Sequence, residues 1–305
     1  MIDFVGKRHW FFLGSTIAVA VALFALVAFG LRPGIDFTGG TSMTLHFEPQ
    51  VDQTDLREAV WDAGNPEAMV QGSDDDYLVR LRQLSTDERE SLLTSLKEIT
   101  GSEITVLDYS TVAAAVATET AQKAGIAVLL ASAAMLLYIA WAFRKMPSPF
   151  KWGTCAIVAL LHNIVIVAGL FALLGRFRGV EVDALFITGL LTIVGYTINN
   201  TVVVFDRVRE NREKGISTDL GIVVNCSLVE TMVRTVNTSL TTLCVILALL
   251  LFGGATIHYF ILVLFVGLLV GTYSSVFIAG PLLVTWEKHE WGKVAEGIKS
   301  ARQPA

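Results

Sequence analysis

Charge is scarce in this chain. Only 17% of the 305 residues are Asp, Glu, Lys or Arg, whereas 53% are hydrophobic. That much apolar surface exceeds what a protein of this length can bury in a core of its own, so lipid must take the remainder. Basic residues are outnumbered, giving a formal net charge of -5, which leaves no cationic face for nucleic acid. The acidic excess lies mainly in the polar segment near 41–112, where Asp74, Asp75 and Asp76 read as a solvated turn. Cysteine is scarce too: Cys155, Cys226 and Cys244 sit in or near apolar runs, which excludes a disulfide-stapled external domain. Soluble-enzyme signatures are missing, with no Walker A loop, no G-x-G-x-x-G after a strand, no H-E-x-x-H and no G-x-S-x-G, so the expectation is a non-enzyme. His9, His46, His162, His258 and His289 are scattered one to an element, and no metal site is expected.

What is abundant is long apolar runs. The first, Trp10 to Leu31, follows Lys7 and Arg8; at about 22 residues it exceeds the ~7–15 of a signal-peptide core and predicts an uncleaved anchor helix. Five more of spanning length follow at about 122–143, 151–175, 183–205, 236–253 and 258–284. The fold class expected is an α-helical membrane protein with six transmembrane helices and an inserted α+β external domain. Its divisions are 1–33 for the N-terminal tail and first helix, 34–120 for the external domain, 121–286 for helices two to six with a cytoplasmic loop at 206–235, and 287–305 for a tail. Lys7, Arg8, Arg144, Lys145, Lys151, Arg207, Arg209, Arg212, Lys214, Arg234, Lys288, Lys293, Lys299 and Arg302 cluster on one side. By the positive-inside rule that side is cytoplasmic. Both termini are then expected in the cytoplasm of a cell (inner) membrane, with lipid as an obligatory partner.

The external segment alternates strand and helix signals. Thr41 to Glu48 is β-rich; Leu56, Val60 and Trp61 have helical spacing; Met69 to Gln71 is a short strand candidate; Tyr77, Val79 and Leu81 alternate with charge. Ser85-Thr86-Asp87-Glu88 is a capping box for a helix ending at Gly101, and Ile104 to Tyr109 supplies the last strand. The order β-α-β-β-α-β is that of a ferredoxin-like sandwich, with one sheet face left open. Gly34, Asp36, Gly39 and Gly40 suit a tight turn or hinge where the chain enters the first strand.

Polar groups inside apolar helices are the candidate machinery, because they are expensive there and usually face the bundle interior. The fourth helix holds Thr197, Asn199, Asn200 and Thr201. The fifth holds Arg234, Thr235, Asn237, Thr238, Ser239, Thr241 and Thr242, expected to face the fourth-helix set, with Glu230 as the nearest partner for Arg234. His162 and Asn163 add a third-helix pair, and Gly267 with Gly271 allows close helix approach. Ordinary interhelical hydrogen bonding, at about 0.6–2 kcal/mol each, is the plain alternative to an ion-coupling role.

These residues resemble the SecF family, the smaller membrane subunits of SecD–SecF protein-export complexes. The resemblance rests on Gly34 to Gly40, Gly195 to Asn211, Arg234 to Thr242, Leu251 to Gly254 and Gly271 to Ala279, in order along nearly the whole chain. It implies a six-helix bundle of the resistance-nodulation-division type, paired with SecD. The two would assist late translocation of unfolded preproteins at the SecYEG channel and its associated factors, driven by a gradient of protons or another monovalent cation, with no other cofactor. It also implies an acid in the fourth helix, yet this chain has Asn200 there and Asn163 where the third helix carries another. An amide cannot carry a proton. Ion-coupling candidates are therefore Asn163, Asn199, Asn200, Thr201, Arg234 and Thr238. The working acid is expected on SecD, with two alternatives: coupling of another ion through amide oxygens, or a substitute among Asp36, Glu181, Asp183 and Glu230. Rival functions are a non-conducting assembly subunit and a small-molecule or lipid exporter of the same superfamily.

Overall fold

A computed structural model describes residues 3–73, 76–144, 146 and 148–288. Asp74, Asp75, Lys145, His289, Lys293, Lys299, Arg302 and nearly all of the expected tail lie outside the described residues. In chain order the elements are α1 (Arg8–Phe29), α2 (Ile35–Thr38), β1 (Gly40–Glu48), α3 (Gln53–Asp62), β2 (Met69–Ser73), β3 (Asp76–Leu81), α4 (Thr86–Thr100) and β4 (Glu103–Val112). Then come α5 (Ala114–Ala142), α6 (Pro149–Arg178), α7 (Ala184–Glu213), α8 (Leu220–Phe252) and α9 (Ala255–Ser274), which runs through a π-turn (Ser275–Ala279) into α10 (Gly280–Glu287).

Among the described residues six helices are long and apolar enough to cross a membrane: α1, α5, α6, α7, α8 and the α9–α10 rod. Their burial is uneven. Half of the most apolar window is buried in α7 and in the α9–α10 rod, against 11% in α8. The centre of this unit is therefore built from α6, α7 and the last span. Trp152, Phe143 and Phe205 form its aromatic core, with ring centroids 5.2 to 5.9 Å apart.

The loop expected at 206–235 is not a loop. Helix α7 continues to Glu213 and α8 begins at Leu220, leaving only 214–219 as the connection. The composition is polar because these turns are held by ion pairs at helical spacing: Arg207–Glu210 at 2.5 Å, Lys214–Glu210 at 2.5 Å and Arg209–Asp206 at 2.7 Å.

The second unit comprises Arg32–Ile126 and Arg178–Ala184. Its sheet has the order β2-β3-β1-β4 with every pairing antiparallel, the arrangement of a ferredoxin-like split β-α-β. Alternation puts Met43, Leu45, Phe47, Val79 and Leu81 on the face covered by α3 and α4, against Leu56, Val60, Leu92 and Leu96. Ser85 and Glu88 close the capping box, and Gly101 takes the left-handed conformation.

The segment 178–184 departs from the expected domain limits of 34–120. Its Val182 pairs in parallel with Pro33, Gly34 N–H donates to the Val182 carbonyl at 2.8 Å, and Val182 N–H donates to the Arg32 carbonyl at 2.8 Å. Gln71 Nε2 donates to the Arg178 carbonyl at 2.6 Å, and Arg80 forms an ion pair with Glu181. Burial pulls the Arg80 guanidinium down to about 10, with Asp183 opposing the shift, so it stays charged at neutral pH. Of the turn candidates, Gly39 and Gly40 have positive φ, and a Cβ at Gly40 would lie 2.6 Å from the Leu81 carbonyl oxygen. Asp36 does not close its own turn: its carboxylate accepts from Ala184 N–H at 2.8 Å, at the first residue of α7.

Candidate functional site

Glycine brings the last span against α7. A Cβ at Gly267 would lie 1.9 Å from Ile193 Cδ1, and one at Gly271 would lie 2.4 Å from Thr197 Oγ1. In that seam Thr197, Asn200, Thr201 and Asn163 are all buried. Asn163 Nδ2 donates to Thr197 Oγ1 at 3.3 Å. Thr201 Oγ1 lies 3.0 Å from both the Thr197 carbonyl and Ser275 Oγ, and Ser275 Oγ lies 2.8 Å from the Gly271 carbonyl. His162 extends the chain of contacts: its Nδ1 is 3.0 Å from Asn163 Oδ1 and its Nε2 is 3.1 Å from Ser15 Oγ on α1.

The two adjacent amides of α7 do not act as a pair. Successive residues on a helix are turned by about 100°, so Asn200 is buried while Asn199 is exposed. Asn200 Nδ2 is buried with no hydrogen-bond partner among the described residues, and so is the Tyr196 hydroxyl one turn earlier. A buried, unpaired donor costs on the order of 1–3 kcal/mol.

The fifth-helix set corrects the expectation that it faces α7. Arg234, Asn237, Thr238 and Thr241 are exposed on this chain, spaced so that they share one face of α8. Only Thr235 and Ser239 of that set are buried, and Ser239 accepts from Thr272 Oγ1 at 2.8 Å. Thr238, Thr241 and Thr242 return their hydroxyls to backbone carbonyls of α8 itself. Nor does Glu230 pair with Arg234. It accepts from Arg207 Nε at 2.6 Å and Asn211 Nδ2 at 2.8 Å, which lie on α7 within its reach. The substitute acids are likewise committed, Glu181 to Arg80 and Asp36 to the α7 start. Among the described residues no cluster of three His, Cys, Asp or Glu could hold a metal ion.

Ser15 and Ser275 escaped the sequence reading as site residues. Ser275 stood in a recognisable block, but nothing local distinguishes its hydroxyl from a packing serine. Ser15 sits in an ordinary apolar run.

Two family models match: the C-terminal region of protein export membrane protein SecD/SecF over residues 92–289, and the SecD/SecF GG motif over residues 24–51. The second contains Gly39 and Gly40, the positive-φ pair at the head of β1. The chain belongs to the SecD/SecF family. It is 42% identical to a protein translocase subunit SecF from Thermobaculum terrenum, over 96% of both chains. It is 38% identical to the protein translocase subunit SecDF of Thermus thermophilus over 98% of its own length, which is 40% of that longer protein. The crystal structure of that organism's SecDF, described as a translocon-associated membrane protein, superposes with a TM-score of 0.85, covering 94% of this chain and 39% of the other. The SecF-like part and the rest thus occur in one polypeptide in that relative.

Proposed function

We infer that this chain is a SecF-type accessory subunit of the Sec protein translocase, a multi-pass protein of the cell membrane that works with SecD. The observation that carries the reading is the outward polar face of α8. A guanidinium and an amide on the exposed side of a membrane-spanning helix are costly in lipid. A second bundle that covers Arg234, Asn237, Thr238 and Thr241 removes that cost, and a fourth-helix acid on SecD would give Arg234 a counter-charge. The proton, or another monovalent cation, would then be handled at that shared face, with Asn163 and Asn200 serving as fixed dipoles. Both termini would lie in the cytoplasm, with the sandwich domain outside, assisting preproteins as they leave the SecYEG channel.

The test is Arg234→Leu combined with Thr238→Leu, scored by copurification with SecD and by preprotein export in membrane vesicles. Loss of export together with weakened copurification is expected. Unchanged export and pairing would overturn the reading. The assembly-subunit alternative is favoured by Asn163 and Asn200. It predicts that Arg234→Leu alone leaves the gradient dependence of export intact.

A further inference from the structure

We propose that this bundle has a protonatable site of its own, His162, which takes up a proton at Nε2 on the side of a cavity between α1, α6 and α9. The cavity, of about 330 Å³, is lined by Gly14, Ser15, Ala18, His162, Leu269 and Tyr273 among others. His162 is half-buried near the middle of α6, where the neighbouring side chains that could have titrated in its place are amides or hydroxyls.

The hydrogen bonds fix which nitrogen is available. With the Asn163 amide oriented to donate Nδ2 to Thr197 Oγ1, its Oδ1 faces the imidazole, and the proposal assigns the ring hydrogen to Nδ1. Nε2 is then the lone-pair nitrogen, accepting from the Ser15 hydroxyl. Adding a proton turns Nε2 into a donor. The Ser15 hydroxyl must rotate its own hydrogen away to accept, and the new bond is charge-assisted and stronger. Nothing else in the network has to break. The step is a single proton gained at Nε2 from an aqueous donor and later returned to it, with no other bond made or broken.

The groups facing the ring are Ser15 from α1, Asn163 from α6 and the Tyr273 ring from α9, whose centroid is 6.5 Å away. Tyr273 spends its hydroxyl on the Phe11 carbonyl, so α1 is held at two points beside the imidazole. None of these groups is a carboxylate, an ammonium or a guanidinium, so the imidazolium meets neither a repelling cation nor a neutralising acid. Its charge is seen by the adjoining dipoles, and through Asn163 by Thr197 in the α7 seam. The site lies apart from the α8 stripe and does not depend on what covers it.

The experiment uses the full chain coexpressed with SecD, labelled with 15N-histidine and reconstituted in phosphatidylethanolamine–phosphatidylglycerol bilayers. His162→Gln assigns the signal by its disappearance. A neutral Nδ1–H tautomer at high pH, with imidazolium appearing as the pH is lowered from about 8 to about 5, is the expected result. A ring that stays neutral across that range overturns the proposal. Ser15→Ala removes the partner of Nε2 without touching the ring and should lower the midpoint; an unmoved midpoint would also overturn the assignment of Nε2. In export assays, which rest on the translocase reading whereas the titration does not, His162→Gln should flatten the pH profile while copurification with SecD persists. An unaltered profile would remove any role for the proton in coupling.

Discussion

The seam on α7 and the stripe on α8 use the same vocabulary of threonine, serine and asparagine, and put it to opposite uses. On α7 the hydroxyls of Thr197 and Thr201 are shared with Asn163 and Ser275 on neighbouring spans, so those two hydroxyls are consumed by the chain's own packing, while Asn200 Nδ2 and the Tyr196 hydroxyl have no partner among the described residues. On α8 the hydroxyls of Thr238, Thr241 and Thr242 fold back onto their own helix and leave Arg234 and Asn237 facing outward. Hydroxyls paired across spans hold a bundle together; an outward stripe is what the proposed second bundle would cover. The distinction lies in the address of each hydroxyl rather than in its chemistry.

Three substitutions probe that contrast, each read by thermal unfolding of the purified chain. The largest effect is expected for Gly267→Leu, since even a Cβ would lie 1.9 Å from Ile193 Cδ1 and force α7 and α9 apart. Overpacking of this kind costs about 1–3 kcal/mol, and a variant as stable as the parent would show that the seam is not tightly packed. Next comes Thr201→Val, which keeps the shape but deletes the bond to Ser275 and should cost about 1 kcal/mol. Smallest is Thr241→Val on the exposed stripe, where only a bond to the Thr238 carbonyl is lost and the change should stay within about 0.5 kcal/mol. Equal losses at Thr201 and Thr241 would erase the difference between the two faces.

Six spans and a β-α-β-β-α-β insert were readable because both announce themselves locally. Runs of some twenty apolar residues mark the spans, and the Ser85–Glu88 box, Gly101 and the alternation of Tyr77, Val79 and Leu81 mark the insert. The polar turns at 206–213 misled because ionic residues at helical spacing look like a loop until their pairs are seen. The strap at 178–184 was hidden for another reason: its partners Pro33, Gln71 and Arg80 lie roughly 100 residues or more away, and a seven-residue connection carries no period of its own. Which way the α8 polar face points could not be read either, because burial depends on neighbouring helices that hydropathy does not locate. Asn163, Asn200 and Thr201 were identified by residue type, whereas Ser15 and Ser275 gain meaning only from the atoms opposite them.

The π-turn at Ser275–Ala279 gives the last span two phases in one rod. A π-turn absorbs one residue more than an α-turn, so the same residues wound as an unbroken α-helix would carry everything beyond this point about 100° further round. Before the turn, Gly267 and Gly271 are keyed to Ile193 and Thr197; after it, Gly280 is keyed to Val224 and Leu228. No uninterrupted α-helix of the same sequence could hold both settings at once, so the irregular turn works as a phase shifter that lets one span serve two neighbours.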